Sequence, residues 1–240
     1  GSGIAGRHDG AAVLALAAKL AADFGALKDG WNGFGVLHKA ASQVGALDLG
    51  FAPGTDGLGV AQMTTFGTLD VLFSLGADEI APADGTFVVY IGTHGDKGAH
   101  RADVILPGAA YTEKAGIYVN TEGRVQMGAR AAFPPGDARE DWAIIRALSE
   151  ALGKKLPYDS LAQLRQAMFK AVPHLMRIDQ IEAGDAAGVK ALAARGGAVE
   201  KGAFKSPVED FYLTNPIARA SAVMAECSKL ASGQLLTAAE

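Results

Sequence analysis

LDVLFSLGADE (69–79) and TFVVYIGTHGD (86–96) decide the fold. Each is a continuous apolar run that ends in glycine, and the second repeats the layout of the first. Runs that are apolar on both faces suit strands of a parallel sheet buried under helices, whereas a one-sided sheet would alternate. DVILP (103–107) is a third, shorter strand candidate closed by proline. Together with their flanking helices these strands predict an α/β fold: an open, mostly parallel sheet followed by a helical C-terminal tail.

Helical patterns surround the strands. Residues 9–24, DGAAVLALAAKLAADF, predict an Ala-rich helix with Asp9 as N-cap and Gly25 as its stop. From 30 to 59 glycines recur around VLHKAASQVGAL, which reads as loop, helix, loop. GDAREDWAIIRALSEALG carries a D-x-x-E capping box at Asp137 and Glu140, an apolar face of Trp142, Ile145, Leu148 and Leu152, and an end at Gly153. SLAQLRQAMFKAV has an S-x-x-Q box at Ser160 and Gln163 and stops at Pro173.

Between 184 and 207 the text turns to Ala, Gly and Lys, which predicts a loosely packed connection. TNPIARASAVMAECSKLAS then predicts one helix capped by Asn215, with Pro216 first and a stripe through Ile217, Ala220, Met224 and Cys227. On that stripe Cys227 reads as a packed thiol. The expected organisation is an α/β domain over 1–155, incomplete at its N-terminus, and a mostly helical extension over 156–240.

Composition narrows the function. With 240 residues, 49% of them hydrophobic, the chain can bury a substantial core. A net charge of -4 and a pI near 5.8 provide no basic field, so the balance argues against nucleic-acid partners and anionic membrane surfaces. No stretch approaches the roughly 18–20 apolar residues of a membrane-spanning helix, so no direct membrane insertion is expected. The one cysteine can form no disulfide within the chain and cannot by itself complete a cysteine-ligated zinc or iron–sulfur site. A start on glycines that ordinarily follow a strand, without Met, suggests a fragment of a longer polypeptide.

Several stretches invite a chemical reading. GSGIAG (1–6) before a helix matches the G-x-G-x-x-G of dinucleotide sites. That motif needs a strand before it, a second strand after the helix and an acidic residue roughly 20 positions on. Here GALKDGWNGFG follows and does not read as a strand, and Asp23 and Asp29 sit in unperiodic text. The plainer reading is a tight turn into a helix whose partner strand lies upstream. His94, Asp96, His100 and Asp103 gather just past a strand end and could in principle hold a metal, or serve as solvated turn residues.

No G-x-S-x-G elbow, Walker A loop or H-E-x-x-H is present, so no catalytic residue is assigned. The carboxylate pairs Glu140/Asp141 and Glu209/Asp210 sit at helix starts, where the macrodipole favours them without a catalytic role. ADVILPGAAYTEKAGIYVNTEGRVQ (102–126) places Glu113, Lys114, Glu122, Arg124 and Gln126 beyond a strand. They could line a cofactor crevice or hold a long loop against the sheet.

That last stretch resembles the segment shared by molybdopterin-dependent oxidoreductases and their cofactor-free relative, the large iron–sulfur subunit of respiratory complex I, the NADH-quinone oxidoreductase. PPGDAREDWAIIRALSEALGKKLPYD, LHKAASQVGALDLG and DFYLTNPIARASAVMAEC resemble the complex I branch specifically, the likeness running over about 9–227 and the last stretch having an alphaproteobacterial or mitochondrial flavour. The resemblance implies a molybdopterin-oxidoreductase-like domain with no cofactor of its own, the iron–sulfur clusters belonging to an N-terminal part absent here. It implies a noncatalytic scaffold touching other peripheral-arm subunits on the cytoplasmic or matrix side of the membrane. The parent assembly would be a translocase of the respiratory chain, carrying electrons from NADH to quinone while moving protons.

Asp103, Glu113, Asn120, Glu122, Arg124 and Gln126 match the shared pattern and are carried over as fold-keeping residues of a relict pocket. Two alternatives stay open: a fragment of an active molybdopterin oxidoreductase, and a nucleotide-binding module using GSGIAG.

Overall fold

The computed structural model describes residues 1–4, 6–65, 67–182 and 184–233. It divides into two compact units woven from separated stretches of chain. One takes Gly1–Phe51, Ile117–Gly128 and Arg165–Glu209; the other takes Ala52–Gly116, Ala129–Leu164 and the chain from Asp210 onward. No described helix is long and apolar enough to cross a membrane.

The second unit holds the parallel sheet. Val71–Leu75, Phe87–Gly92 and Val104–Pro107 lie side by side in that order, with Phe73 opposite Val89 and Ile91 opposite Leu106. The middle strand is buried from Val88 to Ile91, as its unbroken apolar run predicts. The first strand differs: Leu72 and Ser74 are buried, while Val71, Phe73 and Leu75 are 45–48% exposed. A continuous apolar run therefore does not ensure burial on both faces at a sheet edge.

Tyr90 anchors the carboxyl end of the middle strand. Its ring is 1% exposed and its hydroxyl donates to Asp78 Oδ1 at 2.8 Å. Two glycines make room for it: a Cβ on Gly98 would stand 2.6 Å from the ring, and one on Gly92 would collide with the hydroxyl.

The helix Asp141–Ala151 departs from expectation. Its N-cap is Glu140, which makes no side-chain cap bond and accepts instead from Trp142 Nε1 at 2.7 Å. The buried residue of this helix is Arg146, and Ile145 and Leu152 are exposed. Arg146 donates to the Tyr158 carbonyl at 3.0 Å and to Glu150 and Asp159, so its long stem covers surface while its head is bonded. Helix Leu161–Ala171 follows Ser160 as predicted, the Ser160 hydroxyl accepting from the Gln163 amide at 3.2 Å.

At the C-terminal end Asn215 Oδ1 accepts from the Ala218 amide at 3.0 Å, with Pro216 in first position. The expected single helix is two, Pro216–Ala220 and Ala222–Ala231. Ser221 is extended at ψ 121° and its hydroxyl caps the second helix at the Met224 amide. The competing serine cap breaks the stripe: Met224 and Cys227 are half-buried, while Ile217 and Ala220 are exposed.

In the first unit, helix Gly10–Asp23 ends at Gly25 in the left-handed region, φ 69°. It packs against a second helix, Ala186–Ala194, inside the stretch expected to be a loose connection. Asp185 starts that helix by accepting from the Ala187 amide at 2.8 Å, and Ala15 and Ala18 on the facing helix are fully buried. Small side chains let the axes approach without the strong apolar stripe that would have announced the helix. Leu27–Lys28 and Trp31–Asn32 form a minimal antiparallel pair where no strand was expected. The core gathers Val119, Val125 and Leu175 with Val44, Met168, Phe169 and Ile178. Val119 and Val125 come from the paired strands Gly116–Val119 and Val125–Gly128.

Candidate functional site

The six positions carried over from the resemblance fall in both units. In the sheet unit, Asp103 lies just before the third strand and its Oδ2 accepts from the Val88 amide at 2.7 Å, stitching that strand to the middle one. Glu113 Oε2 accepts from the Ala110 amide at 2.9 Å, closing the turn on which it sits. Its neighbour Lys114 pairs with Asp141.

In the other unit, Asn120 Oδ1 accepts from the amides of Glu122 and Arg124 at 3.0 and 2.9 Å, an Asx turn joining the paired strands. Arg124 Nη1 donates to the Asp179 carbonyl at 2.7 Å. The side chains of Glu122 and Gln126 are exposed. Gln126 and Asn120 line a cleft of about 530 Å3 with His38, Tyr118 and Met127.

The four polar residues past the second strand do not converge on one point. His94 and His100 are exposed, and His94 Nδ1 bonds the neighbouring Thr93 hydroxyl at 2.6 Å. Asp96 is bound by Arg219, and Asp103 by the Val88 amide. Burial alone would raise the pKa of Asp96, but the Arg219 bond and charge and the Lys97 amide bring it below the usual carboxylate value. Among the described residues no group of three or more His, Cys, Asp or Glu could hold a metal.

GSGIAG contributes a 3₁₀ turn, Ser2–Ile4. A Cβ on Gly3 would stand 2.8 Å from the Lys205 carbonyl, so this glycine serves close packing of two backbone segments. Asp9 is not a side-chain cap of the following helix. Its carboxylate accepts Arg7 Nε and Nη2 at 2.7 Å each and the Glu200 amide at 2.7 Å, while Arg7 also donates to the carbonyls of Gly202 and Glu200. Arg7 first, and the Glu200 amide second, hold the Asp9 carboxyl down at about 2. Asp23 pairs with Lys19 one helical turn earlier. Beside the turn lies a cleft of about 880 Å3 bordered by Gly3, Gly6, His38, Lys39 and Lys205.

The paired carboxylates are structural. Glu140 takes the Trp142 indole, and Asp141 takes Lys114. Asp210 accepts from the Tyr212 amide and from Ser228, whose hydroxyl bond lowers its pKa despite burial. Sequence reasoning missed the Tyr90–Asp78 bond and the pairing of Glu79 and Asp96 with Arg219 at the sheet's carboxyl edge. The available signal was an Asp-Glu pair two residues after the glycine that follows a strand, at the edge where α/β sheets receive ligands.

Residues 1–151 match the family model for molybdopterin oxidoreductase, and residues 178–227 match the model for the C-terminal part of the G subunit of NADH-ubiquinone oxidoreductase. The chain is 44% identical over 232 residues to the NADH-ubiquinone oxidoreductase 75 kDa subunit of Reclinomonas americana, covering 96% of this chain and 33% of that protein. It is also 44% identical to the mitochondrial 78 kDa subunit of Candida albicans over 237 residues, covering 95% of this chain and 32% of that one. The Neurospora crassa 78 kDa subunit matches at 44% over 240 residues, 95% of this chain and 31% of that protein. The chain thus spans about a third of the length of these relatives.

Proposed function

We propose that this chain, which belongs to the molybdopterin oxidoreductase family, serves as a noncatalytic structural part of the large subunit of a complex I, an NADH:quinone oxidoreductase. Its similarity to 75 and 78 kDa subunits along almost its whole length supports that placement. In this reading the domain presents packing surface to neighbouring subunits of a membrane-attached complex, on its cytoplasmic or matrix side. Electron transfer belongs to clusters held by other parts of the parent subunit, since a lone Cys227 cannot supply the several thiolates a cluster takes.

The observation that carries the noncatalytic reading is where the polar atoms at the matched positions go. Asp103, Glu113 and Asn120 accept from backbone amides, and Arg124 donates to a backbone carbonyl. Groups committed to the fold in this way do not fit a pterin and its metal, which would need them free. Metal analysis combined with pterin fluorescence on the purified polypeptide tests the proposal. Background levels of molybdenum and tungsten are expected; either metal at one per chain would establish the enzyme reading instead.

The cleft beside GSGIAG, with His38, Lys39 and Lys205 at its border, favours one second reading, a nucleotide site. Calorimetry with NADH and FAD decides it. Saturable binding that disappears in Lys205→Ala would support such a site.

A further inference from the structure

Open α/β sheets receive ligands beyond the carboxyl ends of their strands. At that edge of this sheet the loop after Val71–Leu75 brings Asp78 and Glu79, and the loop after Phe87–Gly92 brings Asp96. Asp78 is 1% exposed; its Oδ1 accepts from Tyr90 and from the Gly98 amide at 3.3 Å, and its Oδ2 has no partner among the described residues. An acidic edge of this kind calls for a cation.

The cation comes from the far end of the chain. Arg219, on Pro216–Ala220, donates from Nε to Asp96, from Nη2 to Glu79 at 3.1 Å and from Nη1 to the Leu213 carbonyl at 3.1 Å. One guanidinium thereby joins the loops after two adjacent strands to the C-terminal arm. The planar fork makes this possible, and an ammonium could not copy it. The arm is also tied within itself: Ser228 bonds Asp210, Asn215 and Ser221 cap its two helices, and those helices pack on each other and on the turn Phe211–Leu213. Among the described residues no other side-chain hydrogen bond or ion pair joins the arm to the rest of its unit.

We propose that residues 210–231 form a strap that occupies the ligand-receiving edge of the sheet, latched by the single guanidinium of Arg219, and leave that edge as one body when the latch breaks. The strap is a built-in occupant: it sets a positive group of the chain itself where an open sheet would take one from a ligand. This inference does not depend on membership of a larger complex.

Hydrogen exchange and thiol labelling on the whole chain test it, Cys227 in the second arm helix being a native reporter. In Arg219→Met, exchange across 93–100 and 211–231 and the labelling rate of Cys227 should all rise about tenfold, the scale expected for losing a charged hydrogen-bond pair. Exchange across the strand 87–92 should not change. Asp96→Asn, which keeps the shape and removes the charge, should give the same pattern, and it decides the matter if the Arg219 variant does not fold. Unchanged arm exchange and labelling in Asp96→Asn would overturn the strap, and so would an increase shared equally by 87–92, which would mean the arm is part of the unit's core.

Discussion

The sheet unit and its companion hold themselves together by different means. In the sheet unit the organising group is one strand, Phe87–Gly92, whose partners in the sheet lie roughly fifteen residues away along the chain. In the other unit Val119 and Val125 meet Leu175, which arrives from beyond two intervening helices, and Gly10–Asp23 meets Ala186–Ala194. A local apolar run announces the first kind of core. The second kind joins stretches far apart in the chain, some of them, such as Ala186–Ala194, with no apolar stripe to announce them.

The comparison breaks first at Leu175, 1% exposed and clustered with Val119 and Val125 of the small sheet. Leu175→Ala should cost about 2–5 kcal/mol, as for other buried leucines. Urea unfolding would measure it, and amide exchange should quicken across 117–128 and 168–178. A cost well under that range would mean that this core is loosely packed and that its paired strands are held by hydrogen bonds alone.

In the sheet unit the matching test is Gly92→Ala. The added Cβ meets the Tyr90 hydroxyl, whose ring is fixed between Gly92, Gly98 and Asp78, so the middle strand must shift. Overpacking of this kind costs about 1–3 kcal/mol. The fluorescence of Trp142, half-buried and bonded to Glu140, should follow the transition to lower urea. Gly54→Ala, where the added atom has open space around it, should leave the midpoint in place.

These two sites also show what could be read before folding. Val88 to Ile91 declared themselves because β-branched and aromatic residues stand in an unbroken row. Gly25 and Asn215 declared a helix end and a helix start because each residue type has a specific backbone use there. Ala186–Ala194 did not, since alanines bury well without making an apolar stripe. Ser221 did not, since the apolar spacing runs across it although serine favours a helix cap over a helix interior. At the candidate site the residue types were legible, yet their partners were not. Arg124 finds its carbonyl 55 residues later, and Asp96 finds Arg219 123 residues later. Spacing within a motif cannot report a partner that far along the chain.

Acid should act on the companion unit through Asp9. Its carboxyl is held at about 2, below the ordinary 3.8, by Arg7 and the Glu200 amide. A depressed carboxylate stabilises the fold in full above its unfolded value and loses that contribution as pH falls through its folded one. Stability should therefore decline between about pH 4 and 2, with exchange rising first across 197–204, where Arg7 and Asp9 hold the chain. Asp9→Asn should lower stability at neutral pH and flatten that decline. An unaltered pH slope in the variant would assign the acid sensitivity to other carboxylates.

The smallest expected effect sharpens the comparison most, because it concerns a residue that both the sequence pattern and the structure single out. Asn120 accepts from two amides of its own turn and, among the described residues, from no distant element through that oxygen. If its purpose is the turn, Asn120→Ala should cost about 0.5–1.5 kcal/mol, the net worth of such bonds. Asn120→Asp, which keeps an acceptor in place, should recover most of it, because a carboxylate oxygen serves an Asx turn as well as an amide oxygen does. If Asn120 instead faces a ligand in the adjoining cleft, Asp and Ala would behave alike in stability and both would abolish binding. Urea midpoints of the three proteins separate the cases, and recovery by Asp would place Asn120 among the residues that keep the paired strands in register.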